Sequence, residues 1–288
     1  MKSARIRKPA SLLAEIVTAI LFIVFLFPFF LVLINSAKTS FEVTQYPLAW
    51  PKRWETIVDN IVKIWTSESV RYPSSLLSST IITAASLILI NVFSAMAGWA
   101  LVRTKTKVSS FIFFIFVASM VIPFQIVMFP LLSWFRTVTV ATGIRLLRTY
   151  QGIILSYVGF GAPLSIFMFH GFIKSIPLEL EEAATIDGCH KHQIFFRIIF
   201  PILKPIQATV LVLNGIWIWN DYLLPLLVLG KGNDVMTVPL AVSNFAGAFV
   251  KQWDLILTAI LMAMIPVIVF FLFAQKYIVK GMIAGAIK

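Results

Sequence analysis

The sequence predicts an all-α polytopic membrane protein with six transmembrane helices. Three observations carry that prediction. The 288-residue chain is 59% hydrophobic and only 12% charged, whereas soluble domains are about 45–50% apolar and about 25% charged. Its mean hydropathy is +0.93. Its apolar residues gather into six runs of near-bilayer length, since a helix needs about 20 apolar residues to span. Lipid offers no water to orphan backbone groups, so each run must close its hydrogen bonds within a helix.

The runs are Leu12–Ser36, Ser75–Val102, Ser109–Trp134, Gln151–Phe172, Pro205–Leu229 and Leu255–Tyr277. The first follows MKSARIRK, is too long for a signal-peptide core and lacks a small-residue cleavage site, so it reads as a retained anchor. No Lys or Arg lies deep inside any run. Prolines 28, 123, 130, 163, 225 and 266 interrupt them and predict kinks or breaks. WETIVDNIVKIW (54–65), in the long loop 37–74, has helical apolar spacing and predicts a short surface helix. Loops 135–150 and 230–254 are polar and contain glycine.

The net charge of +12 would suggest nucleic acid in a soluble protein. Here it reads as Lys and Arg at membrane surfaces, and no nucleic-acid partner is expected. The dense clusters at the N-terminus and at RTKTK (103–107) place both termini in the cytoplasm. The predicted organisation is therefore a cytoplasmic N-terminus (1–11), a membrane domain (12–277) and a cytoplasmic tail (278–288). A single cysteine, Cys189, excludes an internal disulfide. His190 and His192 lack the companions a metal site needs, so no metal is expected.

The segment 175–204 breaks the pattern. Pro177 suits a helix start, and Glu179, Glu181 and Glu182 suit the positive end of a helix dipole. Ala183 and Ala184 are strong helix formers and allow close approach, and Asp187-Gly188 is a stop signal. A second stretch, His190–Phe200, closes at Pro201 and Pro205. On physics alone this is either a helix–turn–helix below the membrane or a solvated connector.

Glu182-Ala183-Ala184, three residues, Gly188, nine residues, then Ile198-Ile199-Phe200-Pro201 resembles the EAA motif of ABC-importer permeases. Phe200 stands where the family usually has leucine. WNDYLLPLLVL (219–229) and the tail from Gln275 resemble the carbohydrate-uptake branch and its smaller, six-span permease type. The resemblance implies a coupling helix that docks on a separate ATP-binding subunit, through Glu181, Glu182, Ala183, Ala184, Asp187 and Gly188. Ile198 and Pro201 would fix the second helix to the spans. It also implies a sister permease, an extracytoplasmic solute-binding protein and a lipid bilayer as partners. ATP and Mg would be bound by the partner ATPase. This chain itself would carry no cofactor and no catalytic residue, and it lacks the phosphate-cradling G-x-x-x-x-G-K-[ST] pattern.

Polar groups at membrane depth mark candidate substrate paths. Asn214, Trp217, Asn220 and Asp221 lead, because aromatic faces with amide and carboxylate acceptors match sugar rings and hydroxyls. Trp217, Asn220 and Asp221 are expected on nearly one helix face. Asn91 and Gln125 are further candidates. The absence of basic residues deep in the spans favours a neutral sugar. Glycerol phosphate or a polyol is the alternative substrate. A secondary transporter would need more buried ionisable groups, and a non-transport assembly protein would not need the motif.

Overall fold

The computed structural model describes residues 9–246 and 251–286. All its regular elements among these residues are helical: α1 (Pro9–Ser36), α2 (Ser40–Gln45), α3 (Thr56–Thr66), α4 (Tyr72–Arg103), α5 (Lys107–Ser119), α6 (Phe124–Thr142), α7 (Tyr150–Ile173), α8 (Glu179–Ile186) and α9 (Lys191–Gln193). A π-helical segment, Ile194–Ile199, leads to α10 (Phe200–Ile202). Then come α11 (Lys204–Asn220), α12 (Leu223–Val228), α13 (Val238–Val242), a 3₁₀ turn and α14 (Trp253–Ala286). Five helices are long and apolar enough to span, namely α1, α4, α6, α7 and α14. A sixth candidate involves α11, whose 17 residues reach about 26 Å and which qualifies only together with the helices ahead of it. With α9, the π segment and α10 ahead of it, α11 forms a pair bent by 75°.

Two predicted spans differ from expectation. The run Ser109–Trp134 is not one helix. Met120–Pro123 forms a tight turn in which the amides of Met120, Val121 and Ile122 donate to carbonyls three residues back. Proline lacks the amide that would continue α5, so a new helix starts at Phe124. That helix runs past Trp134 to Thr142 and carries Arg136. The run Pro205–Leu229 likewise stops at Asn220, because Asp221 is extended (φ −72°, ψ 131°) and α12 begins separately. The last helix continues beyond Tyr277 to Ala286. Of the six interrupting prolines, Pro28, Pro130, Pro163 and Pro266 sit inside unbroken helices. Pro123 and Pro225 sit at or beside breaks. The expected terminal segments, 1–11 and 278–288, extend at residues 1–8 and 287–288 outside the described residues.

The chain divides into two compact units. One holds α1 to α3 and α14 up to Met264. There the surface helix predicted at 54–65 appears as α3, which buries Asn60 and Ile64. Asn60 donates to the Ser36 carbonyl at 3.1 Å, and Thr258 donates to the same carbonyl. Lys38 is buried, and its ammonium donates to Asn35 Oδ1 (2.9 Å) and to the Tyr46 and Pro47 carbonyls. Burial holds that ammonium below the usual lysine range, and the nearby Glu42 charge opposes the shift.

The other unit holds α4 to α13, up to Ala241, and the rest of α14. Its centre is the α4–α7 pair. Two glycines let the backbones close. A Cβ at Gly98 would lie 3.0 Å from Phe169 Cβ. One at Gly161 would lie 2.6 Å from Ile90 Cδ1 and 2.7 Å from Asn214 Oδ1. Small residues at such crossings are how membrane helices gain packing energy when hydrophobic burial gives none between them.

Candidate functional site

The segment between α7 and α11 is made of two arms joined by a turn. Its first arm is α8, eight residues with three carboxylates in the first turn. It ends in a Schellman motif. The Cys189 amide donates to the Ala184 carbonyl and the Gly188 amide to the Thr185 carbonyl, both at 3.0 Å. Gly188 takes φ +81°, a conformation glycine adopts without a Cβ clash.

The faces of α8 are unequal. Glu181 and Ala184 turn inward and are buried, while Glu182, Ala183, Asp187 and Gly188 are exposed. Ile186 is 87% exposed, and Leu180 is exposed with it. The buried side is fastened to α4. Arg103 Nε donates to Glu181 Oε1 at 2.7 Å, Trp99 Nε1 donates to Oε2 at 3.0 Å, and Arg103 Nη2 donates to the Ile176 carbonyl at 3.1 Å. Both carboxylate oxygens are thus satisfied by donors from one neighbouring helix. Sequence reading singled out the acids but not Trp99 or Arg103. The only signal for the pair was an arginine at the end of one apolar run and a glutamate in the acidic segment.

The second arm is held by Ile194, Phe195 and Ile199, all buried; Ile198 is only half-buried. Phe195 lies against Trp99 with ring centroids 5.4 Å apart. Pro201 has no amide to donate to the Arg197 carbonyl, and its ring crowds that position. The turn before it widens, and the Phe200 amide donates back to Phe195. This π-helical widening sets the register with which the arm enters α11.

The substrate-path candidates scatter. Asn214 is buried and donates to Ser165 Oγ at 3.1 Å and to the Val210 carbonyl at 2.9 Å, joining α11 to α7. Asn220 is exposed and donates to the Ile216 carbonyl of its own helix. Because α11 ends there, Trp217, Asn220 and Asp221 do not share one helical face. Asp221 accepts from Tyr157 Oη at 3.1 Å and from the Leu223 amide at 3.0 Å. Tyr157 also meets the half-exposed Trp217 edge-on, centroids 5.4 Å apart. Tyr157 is therefore the residue that unites Trp217 with Asp221, and nothing in the sequence marked it. Asn91 is buried in α4, and its Oδ1 has no partner among the described residues. Gln125 is exposed in the first turn of α6, just past the break. A cleft of about 660 Å³ opens between α6 and α7, with Phe124, Trp134 and Phe160 in its wall.

Comparison with known proteins agrees with this architecture. Residues 90–284 match the family described as "Binding-protein-dependent transport system inner membrane component". The "Probable starch degradation products transport system permease protein AmyC" of Thermoanaerobacterium thermosulfurigenes is 38% identical over 93% of this chain and 94% of its own length. The "Melibiose/raffinose/stachyose import permease protein MelC" of Bacillus subtilis is 35% identical over the whole of both chains. The fold also matches a chain from the crystal structure of a bacterial ABC transporter that imports the acidic polysaccharide alginate. That match has a TM-score of 0.74 and 21% identity, covering 95% of this chain and 99% of the other. The chain belongs to the inner-membrane permease family of binding-protein-dependent ABC transport systems.

Proposed function

We propose that this permease carries an uncharged oligosaccharide, delivered by an extracytoplasmic binding protein, and works with a sister permease and separate ATP-binding subunits. ATP and Mg belong to those subunits. The observation that carries the proposal is the two-sided build of α8. One side is fixed to α4 through Glu181, while the other offers Ala183, Glu182, Asp187 and the exposed Leu180 and Ile186 to a partner. A helix built this way transmits a push from an ATPase into the bundle as a rigid element. Both termini and α8 lie in the cytoplasm on this reading.

Support for the sugar comes from relatives whose names specify starch degradation products and melibiose, raffinose and stachyose. Trp217, Tyr157 and Asp221 provide aromatic faces beside a carboxylate, a set suited to ring faces and hydroxyls. The decisive experiment reconstitutes the chain with its neighbouring permease, ATPase and binding protein, and measures ATP-dependent uptake of labelled oligosaccharides. Ala183→Glu is expected to abolish recovery of the ATPase with the complex while leaving the permease folded, because Ala183 is exposed. Uptake that continues without any ATPase would overturn the proposal.

A further inference from the structure

The run RTKTK (103–107) places three cations in five residues, and the fold divides them. Arg103 is committed to Glu181 and to the Ile176 carbonyl. Lys105 and Lys107 remain exposed at the turn into α5. They line an open cleft of about 810 Å³ together with Lys174, the residue that follows α7. No carboxylate lines this cleft, and among the described residues no ion pair neutralises any of the three lysines. Three ammonium groups gathered at one cleft repel each other unless an anion joins them.

Two further features define that anion. The amino end of α5, a 13-residue helix, opens on the same cleft and adds the partial positive charge of its aligned peptides. From there Val108, Phe111 and Phe114 run along α5 at intervals of three residues, each 66% exposed. The stripe leads away from the lysines along an apolar helix. The cleft also lies where two spanning helices, α4 and α7, come to their ends, which puts it at a membrane surface. A soluble anion would use the lysines and leave the stripe unexplained. A zwitterionic lipid would use the stripe and leave the lysine charge uncompensated.

We infer that this cleft binds an anionic phospholipid. Its phosphate is held by Lys105, Lys107 and Lys174, and an acyl chain lies along Val108, Phe111 and Phe114. Basic pockets between membrane helices favour such headgroups, at about 1 kcal/mol for each cation near the surface. The inference rests on the membrane topology proposed above and is independent of the transported substrate.

Native mass spectrometry of the purified complex tests it. The complex is titrated with phosphatidylglycerol or phosphatidylcholine, with and without excess inorganic phosphate. One variant carries Lys105→Gln, Lys107→Gln and Lys174→Gln, and a control carries Lys52→Gln, Lys63→Gln and Lys231→Gln at lysines that are also exposed. Losing all three cleft lysines is expected to weaken phosphatidylglycerol retention about a hundredfold, roughly fivefold for each. Phosphatidylcholine retention and the control should not change, and phosphate should not displace the lipid. Equal losses in the two variants, or displacement by phosphate, would overturn the inference. The readout needs neither sugar nor ATP hydrolysis, so failure of the oligosaccharide reading leaves it standing.

Discussion

At the scale of single residues, the chain separates polar groups that hold the bundle from polar groups that face outward. Glu181 is of the first kind. Its two oxygens accept from Arg103 and Trp99, both on α4, and its side chain and that of Arg103 are largely out of water. Removing one partner of a buried pair strands the other charge, at a cost of about 3–5 kcal/mol. Arg103→Ala should therefore lower the thermal midpoint of the purified permease sharply, and Glu181→Gln less, since the amide oxygen still accepts one bond. Equal, near-normal midpoints would show the pair to be idle. Adjacent Glu182 is exposed, and Glu182→Gln should leave the midpoint unchanged. Asp221→Ala should impair uptake more than Asn220→Ala, because Asp221 accepts from Tyr157 and from the Leu223 amide at the start of α12, while Asn220 bonds only its own helix. Near-normal uptake in both would move the substrate contacts to the sister permease.

Among elements, turns and breaks decide what the helices can do. Gly188 ends α8 with a left-handed residue. A Cβ there meets no neighbour within 4 Å, so only backbone strain opposes it. Gly188→Ala should cost about 1–2 kcal/mol, and Gly188→Asn less, as asparagine tolerates this conformation better. Denaturation of the two variants side by side checks the order. Gly161 is the opposite case, with ordinary φ but no room. Gly161→Ala should push α7 away from α4 at Ile90 and from α11 at Asn214, with a loss of about 1–3 kcal/mol. The elements also show what was legible beforehand. The α8 boundaries were readable because proline, clustered acids and glycine act locally. The break at Met120–Pro123 was not, since four of the six interrupting prolines sit inside continuous helices and composition does not distinguish them. The widened turn at Ile194–Ile199 was also hidden, because the apolar spacing of that stretch fits an ordinary helix as well.

For the whole molecule, the contrast between α1 and α7 is instructive. The apolar window of α1 has mean hydropathy 3.0 and is not buried within the chain at all, while 44% of that of α7 is buried. Such a helix must be covered by lipid or another subunit, as water would not tolerate it. A charge at its centre, Phe22→Asp, should cost about 2.5–3.5 kcal/mol of insertion and lower the amount of chain resisting alkaline extraction from membranes. Topology is tested by reporters. A fusion in loop 230–254 should be active only outside the cytoplasm, and one at the C-terminus only inside; the reverse pattern would invert the proposed orientation.

The sequence alone determined the all-helical membrane class and the place of α8. Hydropathy and helix-stop signals depend on neighbours in the chain, so they can be read without a fold. Only the tertiary structure decided which acid is buried, which of the RTKTK cations is spent and which stay exposed, and that Tyr157 joins Trp217 to Asp221. Those outcomes depend on side chains far apart in sequence meeting across helices, with Arg103 and Glu181 the plainest case. Hydrophobicity selects the membrane without specifying which helix faces which. Close packing at Gly98 and Gly161 makes that choice, and with it the register that brings each polar group to its partner.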